Sequence, residues 1–477
     1  MLCGLISTSS RAMNEENPSL VLDTPEARAA YRVTDPALRA LALELLATPD
    51  EAVIDLVTPN PDPGADWWRA AGLGLFLHWG IHSVEKLQPS WAAIRGYPHG
   101  TEDARWHGMG YFGLAERFDP QHWRPMAWAA QAKAAGFRYV VLTAKHHDGF
   151  ALWPSRWGNF STRQYCEGRD LLKTYTEEVR AAGLKVGLYF SPQDWHYPGY
   201  PLADVNFAFA QRNQHPPITD AAANSAHAQE FFIYTIAQLH EVLTGYGEIN
   251  ELWFDGLVWP GVTFPTKAIY RWIRTLQPSI MINDRWGRVR TPDGRDVSSI
   301  KFGDFTTHEW SRLTERPAGS WEFCRGWYGH WGYAGPFAGE VGTELEQLGK
   351  IRDWDGNYLL NLGPQPDGRL PDGTMAAFAE MAAWMRINGE AIHGTRGGAE
   401  GAANVPTTVT PQRTYLHLFA DWHEPVELAR HTAIRSVRLL GREGELAYTG
   451  QGDRIIIPAV GAGYRIVKVE WAPAESR

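Results

Sequence analysis

What this chain has little of sets its first limits. Only three cysteines occur in 477 residues, Cys3, Cys166 and Cys324. They lie far apart and form no CxxC pair, so neither a disulfide framework nor a thiolate zinc site can be read from them. No run approaches the roughly 18 consecutive apolar residues that a membrane-crossing helix requires, and no membrane partner is expected. Positive charge is also short: 45 Lys+Arg stand against 54 Asp+Glu, a net charge of −9. That balance argues against nucleic acid or an anionic bilayer as the main partner. HExxH and HxH spacings are missing, so no metal is expected, and a metal-dependent hydrolase ranks as a second reading. The start, MLCGLISTSSRAMNEEN, has no basic residue ahead of its apolar patch, and Met13 offers a second initiator. No signal peptide is therefore expected; the cytoplasm is the expected compartment, with the periplasm or secretion as alternatives.

The composition that is present, 44% apolar and 21% charged, is that of a globular chain able to bury a large core. Its length allows two or three domains, or one large barrel with an appendage. Tryptophan is abundant: 22 Trp exceed 19 Phe and 18 Tyr. An indole offers a flat apolar face and one N–H donor, which suits a sugar ring, although a large core uses it too.

Along the chain, residues 23–58 read as helix, opening at Thr24 before Pro25 and closing near Pro59, and 58–64 (TPNPDPG) read as a linker. From Trp67 to about His393, short β-branched or aromatic runs alternate with Ala-rich helical stretches, the pattern of βα units around a parallel sheet. Strands are expected at 73–78, 139–144, 185–190, 251–254, 279–283 and 358–362, with further strands near 297–303 and 320–324. Helices are expected at 124–135, 171–182, 226–244 and 267–276. After Gly394 the period shifts to two, in runs at 414–419, 434–440, 454–458 and 464–471. The expected architecture is a helical extension and linker (1–65), a (β/α)8-like, TIM-type barrel (66–394) and a C-terminal antiparallel β-sandwich (395–477).

In a parallel barrel, function gathers at the carboxyl ends of the strands. The residues there are polar or titratable: His78; Lys145, His146, His147 and Asp148; Ser191 and Asp194; Asp255; Asn283, Asp284 and Arg285. Any one of these could cap a loop, but five strand ends converging on one rim point to a site. Asp255 closes the run LeuTrpPhe and precedes Gly256, so it emerges into the cavity as a nucleophile or ligand. If it attacks an anomeric carbon, an acid partner is needed. Glu309, in GDFTTHEW beside Trp310, is the preferred candidate, since an apolar neighbour favours the protonated acid. Glu322, in SWEFC, is the rival; inside a strand it would be a core carboxylate paired with an arginine such as Arg325.

The segments at 72–84 (GLGLFLHWGIHSV), 143–155 (TAKHHDGFALWPS), 188–195 (LYFSPQDW), 251–256 (ELWFDG), 283–287 (NDRWG) and 356–368 (GNYLLNLGPQPDG) resemble, in order and spacing, the motifs of the α-L-fucosidase family, glycoside hydrolase family 29. The resemblance spans about 66–394. It implies a retaining exo-glycosidase needing no cofactor and acting on an oligosaccharide or glycoconjugate, with Asp255 as nucleophile and Glu309 as acid/base. It further implies that His78, His146 and His147 bind sugar hydroxyls, that Tyr189 and Arg285 lie near the nucleophile, and that Trp331 borders the C6 methyl. Trp79, Trp91, Trp195 and Trp286 are expected to wall the pocket, with Trp253, from the run that Asp255 closes, counted among the sugar-contacting residues. One departure stands out: where many members carry a Glu-Trp pair after the first barrel strand, this chain has Ser90 before Trp91. The loss of that carboxylate suggests a relative of L-fucose, such as L-galactose or L-glucose, as an alternative substrate. A catalytically silent sugar-binding protein is the alternative from another class. A homo-oligomer is compatible with the sequence.

Overall fold

The computed structural model describes residues 24–48, 54–94, 101, 103–200, 221–256, 262, 264–286, 289–290, 296–297, 300–310 and 313–473. Cys3 and the apolar start lie outside them.

The N-terminal stretch is not one helix. Thr24 caps helix α1 (Pro25–Tyr31), accepting the Ala27 N–H at 3.1 Å. Asp35, ahead of Pro36, then starts a second helix, α2 (Pro36–Leu46), by accepting the Ala37 and Leu38 N–H groups. A residue before proline is pushed out of the helical region, which is why the helical periodicity is broken there. The expected helical end is instead a strand, Ile54–Val57, paired in parallel with Ile300–Gly303.

Eight parallel strands form the central sheet: β1 (Leu73–Leu77), β2 (Tyr139–Lys145), β3 (Lys185–Phe190), β4 (Glu251–Phe254), β5 (Met281–Ile282), β6 (Thr306–Glu309), β7 (Trp321–Gly326) and β8 (Asn357–Leu362). Each neighbours the next in sequence, β8 pairs with β1, and the two remaining edges meet where Asn283 bridges Phe305. The curled sheet is thus drawn into a barrel. Helices α3 (Met126–Ala134), α4 (Leu171–Ala181), α5 (Ala221–Gly245) and α6 (Thr266–Leu276) follow β1 to β4, α7 (Val341–Asp353) follows β7, and α8 (Thr374–Asn388) follows β8.

Two sequence expectations are corrected here. The run 297–303 supplies no barrel strand; its second half pairs outside the barrel with Ile54–Val57. The barrel strand is the polar stretch Thr306–Glu309, which aligns with Trp321–Cys324 of β7. Beyond the barrel lie a five-stranded antiparallel sheet and a three-stranded one. They enclose their own core of Leu416, Leu428, Val437, Ile455 and Val469.

Candidate active site

The carboxyl ends of the strands surround a small cavity lined by Phe76, His78, Pro89, Trp91, His146, Tyr189, Trp253, Asp255, Glu309 and Trp331. Asp255 sits one residue past β4, where Gly256 takes φ +93° and a Cβ would come within 2.5 Å of the Gln193 amide. The glycine therefore lets the chain turn away tightly behind the carboxylate. Glu309 is the last residue of β6.

These two carboxylates are brought together by one atom. Arg285 Nη1 donates to Asp255 Oδ1 at 3.0 Å and to Glu309 Oε2 at 2.9 Å. The two oxygens can therefore be at most about 6 Å apart. Arg285 is itself fixed: its Nε donates to Thr307 Oγ1 at 2.6 Å and its guanidinium lies 4.5 Å from the Trp253 ring. Tyr189 donates to Asp255 Oδ2 at 3.3 Å, and His147 Nε2 lies 3.8 Å from that oxygen. Of the ten residues singled out from sequence for the site, eight line the cavity; His147 and Arg285 stand behind it, against Asp255.

Burial dominates the electrostatics. It lowers His78 and His147 to about 4 and drives His146 well below the ordinary imidazole value, so all three are neutral near pH 7. His78 Nδ1 lies 2.7 Å from Asn361 Oδ1, and His147 Nδ1 lies 2.7 Å from the Ser191 hydroxyl. Trp331 packs on His78 with ring centroids 4.8 Å apart, and its carbonyl accepts from Asn361 Nδ2 at 2.7 Å.

Other strand-end residues hold the scaffold instead. Lys145 is wholly buried and pairs with Asp194 at 3.4 Å and Gln238 at 2.8 Å. Asn283 braces Phe254, and Asp284 accepts from Thr307. Trp79 stacks on Trp123, Trp195 backs Trp91, and Trp286 packs on Phe254, so of the four expected wall tryptophans Trp91 alone lines the cavity. Glu322 is buried inside the barrel, where it accepts from Tyr139 and from Trp253 Nε1; Arg325 pairs with Glu344, not with Glu322. Ser90 is fully buried, lies against His146 and Asp148, and is not itself among the cavity-lining residues. The lining residues Phe76 and Pro89 escaped sequence reasoning, because an inward-facing Phe in a buried strand looks like any core residue. Among the described residues no group of three or more His, Cys, Asp or Glu is disposed to hold a metal ion.

A parallel barrel whose mouth holds two facing carboxylates in a hollow of imidazoles and indoles defines a glycoside hydrolase. The sequence model of the α-L-fucosidase family matches residues 56–390, more than two thirds of the chain, and the chain belongs to that family, glycoside hydrolase family 29. The tissue α-L-fucosidase of Rattus norvegicus is 28% identical over 446 residues, covering 85% of this chain and 88% of the relative. Among solved structures, α-L-fucosidase isoenzyme 1 from Paenibacillus thiaminolyticus aligns at 27% identity and TM-score 0.68, covering 86% of this chain and 99% of that one. A Bacteroides thetaiotaomicron α-L-fucosidase, solved as a trapped covalent intermediate with 2-fluoro-fucosyl fluoride, shares the fold at 21% identity and TM-score 0.70, covering 89% and 99%.

Proposed function

We propose that this protein is an exo-acting, retaining α-L-fucosidase in which Asp255 is the nucleophile and Glu309 the acid/base. The observation that carries the reading is the Arg285 bridge, which limits the facing oxygens to about 6 Å. Retaining enzymes hold their carboxyl groups about 5–5.5 Å apart, whereas inverting ones leave about 6.5–9.5 Å for a water. The covalent intermediate trapped in the Bacteroides enzyme supports the same chemistry on this fold.

In the first step an Asp255 oxygen attacks the anomeric carbon while the glycosidic C–O bond breaks and the Glu309 proton passes to the leaving oxygen. In the second, the Glu309 carboxylate takes a proton from water, the water oxygen attacks the same carbon, and Asp255 leaves with its electron pair. Arg285 touches both carboxylates. It therefore stabilises Asp255 before attack and Glu309 after it has given up its proton. The neutral imidazoles of His78 and His146 each keep one ring nitrogen for a hydrogen bond with a sugar hydroxyl. Trp331 and Phe76 supply an apolar wall suited to a methyl group. L-galactosides differ from L-fucosides at C6, and L-glucosides at both C6 and C4; they are the natural competitors to assay.

The test is the anomer first released from an aryl α-L-fucoside, followed by proton NMR before mutarotation. The α-anomer is expected, and a β-anomer overturns the mechanism. Asp255→Ala should lower kcat by roughly 10⁴-fold or more while sugar binding persists.

A further inference from the structure

His146 reaches the cavity wall from just beyond β2, and the inner side of its ring is held by a serine. The Ser90 hydroxyl oxygen lies 2.5 Å from His146 Nδ1 and 3.1 Å from Asp148 Oδ2, and it accepts the Asp148 backbone N–H at 2.8 Å. Tyr111 completes the cluster: its hydroxyl donates to Asp148 Oδ2 at 2.8 Å and accepts the Ser90 N–H at 2.7 Å. The Phe150 N–H donates to Asp148 Oδ1 at 2.9 Å. Ser90 holds φ +59° and ψ −43° in this arrangement, a conformation that a residue with a Cβ rarely adopts.

A hydroxyl carries one proton, which can go either to Asp148 Oδ2 or to His146 Nδ1. If it goes to the carboxylate, Nδ1 must carry its own proton and donate to the serine oxygen, and every polar atom of the cluster is satisfied. If it goes to Nδ1, a serine lone pair is left facing the carboxylate, which is repulsive unless Asp148 is protonated. Burial lifts Asp148 to about 6, so the carboxylate is mostly ionised at neutral pH.

We propose that Ser90 and Asp148 fix the tautomer of His146, leaving its Nε2 toward the cavity as a bare acceptor that selects a sugar hydroxyl able to donate. This rests on the reading of the cavity as the fucose site. Ser90 is then a positioning residue that acts through His146 and does not itself contact sugar. His78 arrives at the same state by another route: Asn361 Nδ2 donates to the Trp331 carbonyl, so Asn361 Oδ1 must accept a proton from His78 Nδ1. Two rings 5.7 Å apart thus offer the sugar acceptors of the same kind.

Two measurements test the relay. The ¹⁵N spectrum of the wild-type histidine rings, with His146 assigned by its loss in His146→Gln, should show a protonated Nδ1 and a bare Nε2 at neutral pH; a protonated Nε2 overturns the proposal. Asp148→Asn puts an amide N–H where Oδ2 stood, turns the serine proton toward Nδ1 and presents Nε2–H to the cavity. Compare kcat/KM for an aryl α-L-fucoside with its 2-, 3- and 4-deoxyfluoro analogues, in which fluorine donates nothing and its inductive effect is common to both enzymes. At one position the wild-type penalty should exceed that of Asp148→Asn by about 10-fold. Equal penalties at all three positions in a folded variant overturn the relay. A wild type inert on the parent fucoside would sink the functional reading instead, and the ring spectrum would still decide the tautomer.

Discussion

Arg285 touches Asp255 and Glu309 with the same nitrogen while its Nε is held by Thr307 and its face by Trp253. A lysine can place one charge near the carboxylates but cannot keep this planar, multiply anchored geometry. Arg285→Lys is expected to lower kcat/KM for an aryl α-L-fucoside at least about 100-fold; a loss under about 10-fold would show that the planar guanidinium geometry is not needed. Below Arg285, Trp253 donates its Nε1 to Glu322, which stands beside the buried Glu251. Burial raises both carboxyls, and Glu322 raises Glu251 further. The native state therefore holds protons that the unfolded chain has already released in the pH range just above the ordinary carboxyl value. The contribution of this pair to stability therefore falls as pH rises through that range toward the raised values, against the opposite slope of the buried histidines. Glu322→Gln keeps an acceptor for Trp253 and removes part of that opposition, so the variant's stability should rise more steeply with pH than the wild type's in denaturant titrations between about pH 5 and 7. Glu322→Leu should cost roughly 2–4 kcal/mol by stranding the Trp253 and Tyr139 donors.

At the scale of elements, the N-terminal helices are joined to the barrel near its mouth. Tyr31, the last residue of α1, is buried edge-on against Tyr197 and Tyr234, and its hydroxyl lies 2.5 Å from His196 Nδ1. Arg39 of α2 forms a two-pronged ion pair with Glu230 of α5. Tyr31→Ala should cost about 3–5 kcal/mol, the usual price of emptying a large buried aromatic site, readable as a lowered denaturant midpoint. Arg39→Ala should cost under about 1 kcal/mol, because both partners are partly exposed. The sequence made β1 to β4, β7 and β8 visible because fully buried parallel strands are continuous apolar or β-branched runs. The β6 stretch, ThrThrHisGlu, was hidden because its ladder partners, not its own apolarity, place it in the sheet. The decoy at 297–303 alternated convincingly because half of it does form a strand, only outside the barrel. Asp255 was legible because it follows a visible strand, and Glu309 because of its segment GDFTTHEW and the family resemblance, although the strand it closes was hidden. Ser90 was legible as a departure, but its direction was not, since no local pattern says which way a strained loop residue points. The supporting Asn361, Ser191 and Trp253 to Glu322 contacts join residues far apart in sequence and had no local signal.

For the molecule as a whole, the seam between barrel and sandwich combines a small apolar cluster of Trp384, Ala391, Tyr415 and Ile466 with polar contacts around it. Arg352, fully buried on α7, donates to the carbonyls of Gly356 and Thr395. His417 of the sandwich lies 2.9 Å from Thr408 Oγ1 and 2.6 Å from the Tyr464 hydroxyl. The Thr407 N–H donates to Asp353 Oδ1 at 2.6 Å, tying the sandwich to the end of α7. Imidazoles buried at this seam and at the cavity make the two bodies respond to acid together. Burial lowers His393 and His417 to about 3 at the seam, His82 and His196 to about 3 behind the cavity, and His78 and His147 to about 4 beside it. Between those values and about 6.5 the unfolded chain binds protons that the native state refuses, so stability is full above about 6.5 and is lost as pH falls. Each fully buried imidazole can account for roughly 3–5 kcal/mol of that loss. Buried carboxyls such as Asp148 and Asp304, raised to about 6, oppose it over part of the range. A domain has only about 5–15 kcal/mol to lose, so the chain should unfold before its histidines reach their native values. Acid titration followed by circular dichroism and tryptophan fluorescence should therefore show one coincident transition between about pH 4 and 6. His417→Gln should shift it to lower pH by removing one proton from the balance. Two separated transitions, one for each body, would mean that the seam contacts do not couple barrel and sandwich.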